Sequence, residues 1–314
     1  MDRYVRWLKE TNQPLFEVAG TYWRLYQNAL VPASPKPEPV ELGVNAAHEL
    51  LDRSGAFFLR YFTRTVNYPT AFWYTACDEY DFKDLPQKVR AHIRRGYKSC
   101  RVERVDSEWL ADNGYPCYLA AFSRYRNSRP ESRARFDTMC KGAPGGPFEF
   151  WGAFVEDRLA GFAKSAVGTD YAATLVLKLD PSFMQLSTGP VLQDTILRTY
   201  VSEQKKVVYA GFRSVVHDTR THDFLLNLGY SRVYCDLKVV YRPAVRTCVN
   251  LLYRCRSLVD HAPEFSMKSS IRGLLVQEGI RRSIELDGKR AIRSPTSERI
   301  ARPLGSDRYG ETEK

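Results

Sequence analysis

Three side chains that can transfer protons or bind an anion lie close together late in the chain: Tyr209, Arg213 and His217. A histidine can act as a general base near neutral pH, and an arginine can hold a carboxylate or phosphate through two parallel hydrogen bonds. Each also has a structural interpretation. The histidine can bond a backbone carbonyl, the arginine can pair with a nearby aspartate, and the tyrosine can pack beside Val208. We predict these three residues as catalytic, with the structural roles left open.

A loop of small residues predicts a binding site for an anion. Ser187, Thr188 and Gly189 precede Pro190, and proline suits the first turn of a helix because its missing N–H costs nothing there. The free amides of such a helix start can stabilise a phosphate or a developing oxyanion. Every helix start offers the same amides, so this interpretation depends on what lies beside the loop.

A second candidate anion site is the basic segment from Lys88 to Arg104, which contains seven lysines and arginines and one acid, Glu103. Such a run is usually a solvated helix face. The alternative is a clamp for a phosphorylated ligand or RNA, with Arg94, Arg95 and Lys98 as the binding residues. We favour the clamp, because the cations continue past the predicted end of the helix, where its solubility no longer requires them.

Alternating strand and helix patterns predict the elements that position these residues. Three runs rich in aromatic and β-branched residues predict an antiparallel meander. A helix, a short apolar strand, a second helix and a long last strand follow. The predicted strands are 148–155, 159–167, 171–179, 207–212 and 231–241, and the predicted helices are 191–203 and 219–228. If the first helix crosses over the sheet, strands 171–179 and 207–212 are parallel neighbours with the small-residue loop at their carboxyl end.

The earlier part of the chain repeats this order of strands and helices approximately, which predicts two related lobes. Its predicted helices are 44–53, 84–96, 109–125 and 131–140, and its predicted strands are 56–63, 71–76 and 100–105, with a strand or strand pair in 16–23. The segment Gly142–Pro147 predicts the linker between lobes. We therefore predict domains at 1–141 and 142–243, a helical extension at 244–286, and a polar tail at 287–314 in which disorder is expected.

Composition indicates a cytoplasmic protein with an anionic partner. Lysine and arginine outnumber aspartate and glutamate by 47 to 36, which gives a net charge of +11, and this excess favours phosphates, nucleotides or acidic surfaces. An ordinary basic enzyme is an equal alternative. Seven cysteines without a Cys-x-x-Cys pair indicate a reduced protein without structural metal. No secretory signal is visible, and no apolar run approaches the roughly 18 residues that span a bilayer.

The order of the predicted elements resembles the core of the GNAT-type N-acyltransferases, and more closely their FemAB-like branch, whose members pair two such lobes. The resemblance covers about Tyr68 to Pro243. It implies an α/β (α+β) fold with a mixed, mostly antiparallel central sheet and helices on both faces. The segments that carry it are Phe150–Phe154 with Leu159–Gly161, Gly211–Thr219, Phe224–Tyr230 and Arg94–Cys100.

The function that this resemblance implies is acyl transfer from a thioester or ester donor to an amine acceptor. In GNAT enzymes coenzyme A lies between the fourth and fifth core strands, which correspond here to 171–179 and 207–212. The expected donor is acyl-coenzyme A, such as acetyl-coenzyme A, with an aminoacyl-tRNA as the one nucleic-acid possibility and no metal. The implied donor-binding residues are Leu177, Leu179, Ser187, Thr188 and Gly189, together with Arg94, Arg95 and Lys98.

Two departures from the family pattern favour a second hypothesis. The usual Gln/Arg-x-x-Gly-x-Gly/Ala pyrophosphate loop is missing, because Leu186–Pro190 keeps a single glycine. Leu225 occupies the position of the tyrosine that often protonates the leaving thiolate. The second hypothesis is a catalytically silent acyltransferase-like protein that binds a charged ligand or a protein partner. A third, nucleic-acid binding, rests on the basic segment alone, without a recognisable module of interleaved exposed aromatics.

Overall fold

The computed structural model describes residues 1–26, 28–123, 129–141, 146–213, 221–261 and 268–293. Their strands are β1 (Leu15–Val18), β2 (Thr21–Tyr26), β3 (Ala29–Pro32), β4 (Phe58–Tyr61), β5 (Trp73–Cys77), β6 (Arg101–Val105), β7 (Phe148–Val155), β8 (Arg158–Val167), β9 (Tyr171–Leu179), β10 (Val207–Phe212), β11 (Ser231–Tyr234) and β12 (Lys238–Tyr241). Their helices are α1 (Arg3–Glu10), α2 (Val44–Ser54), α3 (Gln87–Ser99), α4 (Ser107–Asn113), α5 (Tyr115–Phe122), α6 (Arg133–Lys141), α7 (Thr188–Leu197), α8 (Thr221–Asn227), α9 (Pro243–Arg254), α10 (Arg256–His261) and α11 (Lys268–Arg293). A π-helical segment, Arg198–Glu203, continues α7, and 3₁₀ turns cover Phe82–Asp84 and Pro181–Leu186.

The chain forms two compact units. The first comprises Met1–Thr11, Thr75–Gly211 and Thr221–Ser231. The second comprises Asn12–Tyr74 and the described residues of Phe212–Arg220 and Arg232–Lys314. In the first unit β6, which precedes the predicted lobe boundary, pairs with β7, which follows it. Residues 142–145 of the predicted linker lie outside the described residues, and the domain boundary at residue 142 stays a prediction.

A mixed, mostly antiparallel sheet organises the first unit. Its strand order is β11-β5-β10-β9-β8-β7-β6. Strands β7, β8 and β9 form the predicted antiparallel meander, and β10 returns parallel to β9. The predicted bounds of β7, β9 and β10 are confirmed, and β8 begins one residue earlier than predicted. Local period-two patterning therefore identified the central strands correctly.

Helices cover both faces of this sheet, as predicted. On one face Trp151 and Ala153 of β7 share a core with Ile93 of α3 and with Leu192 and Ile196 of α7. On the other face the alternate strand positions pack against α4, α5 and α6. The buried members of that second core are Leu110, Ala111, Cys117, Tyr118, Phe136, Cys140, Phe150 and Phe162.

Helix α3 differs from its prediction at a glycine. The sequence predicts that Gly96 ends the helix, but α3 continues to Ser99. A Cβ atom at Gly96 would overlap Cγ2 of Val191 and lie 3.0 Å from the carbonyl oxygen of Ser187. Gly96 is therefore the point where α3 approaches the start of α7, and close packing rather than helix termination requires the glycine.

Two further helix predictions need correction. Helix α7 begins at Thr188 rather than Val191, and its predicted last turn is π-helical. The helix predicted over 109–125 is two helices, α4 and α5, which meet at Gly114. A Cβ atom there would lie 2.6 Å from the carbonyl oxygen of Leu110, so the tight junction depends on glycine.

The second unit contains a five-stranded sheet of order β1-β2-β3-β4-β12. Strands β3 and β4 are parallel, whereas the other neighbours are antiparallel. Trp23, Leu30, Leu50 and Leu59 are fully buried in its core. Helix α11 runs to Arg293, beyond the predicted end at Leu286, and residues 294–314 of the predicted tail lie outside the described residues.

The long last strand predicted over 231–241 is wrong. It is two strands, of which β11 joins the seven-stranded sheet and β12 joins the five-stranded sheet. Asp236 lies between them, and its carboxylate accepts hydrogen bonds from the amides of Thr63 at 2.7 Å and Arg64 at 3.3 Å and from the Thr63 hydroxyl at 2.5 Å. These hydrogen bonds to residues far away in the chain satisfy the Asp236 carboxylate and hold the break between the two strands in place. No local sequence pattern reveals them.

Candidate functional site

The central parallel strands pair over a short distance and then separate. Three residue pairs join β10 to β9, from Val207 with Tyr171 to Tyr209 with Ala173. Strand β9 continues to Leu179 while paired with β8 on its other side. Beyond these pairs, β9 and β10 no longer pair with each other among the described residues. The edge of β9 after Ala173 and the edge of β10 after Tyr209 that face each other are therefore without a strand partner there. The prediction that these strands are parallel neighbours is confirmed, and their separation forms a gap that we call the β9–β10 gap.

A β-bulge lies just inside the β9–β10 gap. Ser165 of β8 is opposite Thr174, but the preceding Lys164 is opposite Val176, which leaves Leu175 as an extra residue in β9. Leu175 is 39% exposed. Bulges redirect the local backbone and occur preferentially beside active sites. The bulge therefore supplies main-chain polar groups that do not follow the regular β8–β9 pairing.

The predicted anion-binding loop is closed to solvent. Ser187 is 3% exposed, Thr188 is 0% exposed and Gly189 is buried. Helix α3 covers the loop through the close approach of Gly96 to the Ser187 carbonyl, and Nδ1 of His92 lies 3.4 Å from Oγ of Ser187. The Thr188 hydroxyl is buried and has no hydrogen-bond partner among the described residues. Thus the loop is not an open phosphate cradle in this structure.

Leucine side chains join this loop to the mouth of the gap. A Cβ atom at Gly189 would lie 2.7 Å from Cδ1 of Leu179 and 3.4 Å from Cζ of Phe224. Leu177 and Leu179 are both partly buried against the main core of the first unit. The structure therefore brings Leu179 and Gly189 into contact, and their role in binding a donor stays a prediction. Leu225 is buried in the same core, so the position of the family's tyrosine holds no proton donor.

Helix α7 carries a buried acid, Asp194, which its local sequence does not distinguish from a solvated helix residue. Asp194 is 0% exposed. Its carboxylate accepts hydrogen bonds from the hydroxyls of Tyr80 and Tyr97, the latter at 2.6 Å, and from Nε of Arg198 at 2.7 Å. The pKa of Tyr97 is raised to about 12, and the pKa of Tyr80 is also raised. For both tyrosines the largest cause is burial, and the next is the hydrogen bond to Asp194. This network fixes α7 against α3 and the turn before it.

The three predicted cations of α3 lie on its exposed face. Arg94, Arg95 and Lys98 are all exposed, and none forms an ion pair with a carboxylate of the described residues. The guanidinium carbon of Arg94 lies 5.3 Å from the centre of the Phe82 ring. The other face of α3 packs against the Ser187–Gly189 loop. The unpaired cations of α3 therefore place positive charge near this loop.

The predicted catalytic residues do not form a described cluster. Tyr209 is partly buried, and its ring lies 6.3 Å from that of Tyr171 on the strand beside it. Arg213 donates from its guanidinium to the Ala71 carbonyl at 2.9 Å, which is one of the structural roles open to an arginine. His217 lies outside the described residues. Of the three residues, only Tyr209 has a described position on a strand that lines the β9–β10 gap.

Metal and membrane features are absent from the part of the chain that the structure describes. No group of three or more His, Cys, Asp or Glu side chains is arranged to hold a metal ion. All seven cysteines are free thiols, and five are buried. Within the same residues, no helix combines the length and apolar character needed to cross a bilayer.

A mixed sheet whose central parallel strands separate beside a crossing helix is the defining feature of the GNAT-like fold. Several solved structures match most of the chain, and two of them illustrate the similarity. The C-terminal domain (DUF2156) of a putative lysylphosphatidylglycerol synthetase from Agrobacterium fabrum matches with a TM-score of 0.52 and 8% identity, over 80% of this chain and 90% of that one. FemX matches with a TM-score of 0.51 and 9% identity, over 80% and 93% of the two chains. The fold is therefore GNAT-like and of the FemAB type, as the sequence resemblance implied.

Sequence comparison adds no closer relative. No protein-family profile matches the sequence, and no curated protein matches it significantly. At 8% and 9% identity the two structural matches establish the fold alone.

Proposed function

We propose that this protein is an acyltransferase that moves an acyl group from an activated donor to an amine acceptor. The observation that carries the proposal is the separation of β9 and β10 after three residue pairs, with the bulge at Leu175 just inside the gap. The resemblance to enzymes that transfer acyl groups, in sequence order and in fold, supports the same reaction.

In the proposed reaction the acceptor nitrogen attacks the acyl carbonyl carbon. A carbon–nitrogen bond forms and the carbon–sulfur or carbon–oxygen bond of the donor breaks, while the amine proton passes to solvent or a base and the leaving group takes up a proton. We propose that main-chain N–H groups at the bulge stabilise the developing oxyanion. Tyr209 is our candidate proton donor, because it lies at the last β9–β10 pair before the gap.

The donor is a thioester such as acyl-coenzyme A or an ester such as an aminoacyl-tRNA. Both carry phosphates, which suits the net charge of +11 and the unpaired cations of α3. The burial of Ser187, Thr188 and Gly189 argues against the usual pyrophosphate contact of coenzyme A at α7. We propose that the donor phosphates bind along α3 instead. The free thiols support a reduced, cytoplasmic setting, which fractionation of cells expressing the full chain tests.

The second candidate is a catalytically silent protein with the same fold that binds a charged ligand or a protein partner. The buried loop and the buried Leu225 favour it, because both remove groups that acyltransferases of this class commonly use.

Mass spectrometry of reaction products separates the two candidates. We expect the purified full chain, given panels of acyl-coenzyme A and aminoacyl-tRNA donors with amine acceptors, to form an acylated amine with at least one donor class. Tyr209→Phe should lower turnover about 100-fold if the phenol protonates the leaving group. A folded protein that forms no product with either panel would support the silent candidate, and normal turnover in the Tyr209 variant would remove this residue from the mechanism.

A further inference from the structure

Two arginines from different elements share one aromatic ring in the first unit. The guanidinium carbons of Arg94 on α3 and Arg198 on the π-helical segment lie 5.3 Å and 5.1 Å from the centre of the Phe82 ring. Phe82 belongs to the 3₁₀ turn before α3 and packs against the main core. A ring fixed in this way attracts each cation through its π-face, but it does not neutralise either charge.

The two arginines differ in their carboxylate partners. Arg198 binds Asp194 through Nε, and its side chain remains 46% exposed. Asp194 itself is buried and also accepts bonds from two tyrosines, so it is not available to Arg94. Arg94 forms no ion pair with a described carboxylate, and the carboxylate of Asp81 in the adjoining turn caps the Lys83 amide instead. Arg94 therefore keeps a charge that no described carboxylate neutralises, beside an aromatic ring shared with an arginine that Asp194 already orients, and such a charge is suited to an incoming anion.

The exposed face of α3 adds further positive charge beside Arg94, whereas the turn that holds Phe82 also carries the acids Asp81 and Asp84. Arg95 and Lys98 follow Arg94 on the exposed face of α3, and Lys88 lies on that face one to two turns earlier. Planar guanidinium groups bind phosphate oxygens through paired, charge-assisted hydrogen bonds, which makes arginine the preferred residue for phosphate recognition. Arg198 is already oriented by Asp194, so little of its side-chain freedom remains to be lost on binding.

We propose that Arg94 and Arg198, oriented by Phe82 and Asp194, form a phosphate-binding site for a nucleotide-type ligand. We call this site the arginine–phenylalanine clamp. It differs from the proposed binding of donor phosphates along α3 because it gives Arg198 and Phe82 a role in binding. It rests on the proposed function only in taking the phosphate-bearing ligand to be the acyl donor. Binding is measured without turnover, so failure of the clamp and failure of acyl transfer are distinguishable.

Two exposed arginines of the first unit provide a matched comparison that distinguishes a clamp from diffuse attraction. Arg94→Ala and Arg6→Ala each remove one exposed arginine from a helix, but Arg6 belongs to α1 and lies outside the predicted binding segment, whereas Arg94 contacts the Phe82 ring. We expect Arg94→Ala to weaken binding about tenfold, which is the effect of losing one charge-assisted phosphate contact, and Arg6→Ala to weaken it less than about twofold. Phe82→Leu keeps an apolar side chain in the core and should weaken binding several-fold by releasing Arg94, whereas Asp194 still holds Arg198.

The probes are pyrophosphate, followed by calorimetry, and a labelled twelve-nucleotide RNA, followed by fluorescence anisotropy, both with the full chain at fixed ionic strength. An Arg94 effect on pyrophosphate alone assigns the clamp to a soluble nucleotide donor, and an effect on the RNA assigns it to a nucleic-acid backbone. Equal losses in the Arg94 and Arg6 variants, or no binding of either probe, would overturn the proposal. Unchanged thermal unfolding of both alanine variants confirms that the comparison concerns binding.

Discussion

Lys164 allows a quantitative test of the packing on one face of the central sheet. It lies in the middle of β8, is 7% exposed, and donates a hydrogen bond from Nζ to the Met139 carbonyl at 2.6 Å. Nζ also lies 3.9 Å from the centre of the Phe148 ring. No carboxylate of the described residues pairs with it. Burial lowers the pKa of Lys164 from the ordinary value of 10.5 to about 8, and the nearby Cys140 acts in the opposite direction.

The size of the effect follows from the pKa. A shift of this size costs the folded state about 3 kcal/mol while the amine is charged, at about 1.4 kcal/mol per pH unit. Lys164→Met removes that cost but leaves the Met139 carbonyl without its donor, which costs about 1–3 kcal/mol. We therefore expect the variant to be more stable than the wild type by about 1 kcal/mol at pH 7.

The pH dependence is the sharper test. Below pH 8 the lysine is protonated in the folded and unfolded chains alike, so its cost is constant. As the pH rises from about 8 towards 10.5, the folded chain releases the proton while the unfolded chain keeps it. The free energy of unfolding of the wild type then rises relative to that of the variant, by up to about 3 kcal/mol.

Urea unfolding followed by tryptophan fluorescence at pH 7, 8, 9 and 10 measures this difference. Lys98→Met is the control, because it removes a positive charge from an exposed helix face and should change stability at pH 7 by no more than about 0.5 kcal/mol. A wild-type-minus-Lys164→Met difference that stays constant from pH 7 to pH 10 would refute the reasoning, since the buried amine would then not be releasing its proton in this range.

Two further predictions concern the contacts of α7. Asp194→Asn should destabilise the protein by about 3 kcal/mol in urea unfolding, because Arg198 and two tyrosines lose a buried charged acceptor; the exposed Glu203→Gln serves as control, and a cost below about 1 kcal/mol would show that the network contributes little. Gly96→Ala should cost about 2 kcal/mol through overlap with Val191, and adding Val191→Ala should recover part of the loss; strictly additive costs would contradict a direct contact.

The strands of the central sheet were predictable because their signals are local. Aromatic and β-branched runs separated by short polar breaks gave the meander and β10 with correct or nearly correct bounds. The parallel pairing of β9 and β10 followed from the crossover helix between them. These elements carry the gap, so the place of the candidate site was predictable to the same extent as the sheet.

The remaining differences depend on residues that are distant in sequence. Asp194 looks like a solvated helix residue until Tyr80 and Tyr97 are placed over it. Gly96 looks like a helix stop until α7 is packed against it. The break at Asp236 depends on amides from Thr63 and Arg64, far away in the chain. Tertiary contacts decide each case, and local periodicity does not contain them.

The most direct test of the central claim is a crystal structure of the protein with a non-hydrolysable acyl-donor analogue. The account predicts density for the acyl arm in the β9–β10 gap, with its carbonyl beside the bulge at Leu175. A companion variant, Leu175→Trp, should fill the gap beside the bulge and abolish binding of the analogue, whereas Leu251→Trp, at an exposed leucine of α9, should not. An ordered analogue bound elsewhere, or full binding by the Leu175 variant, would contradict the account.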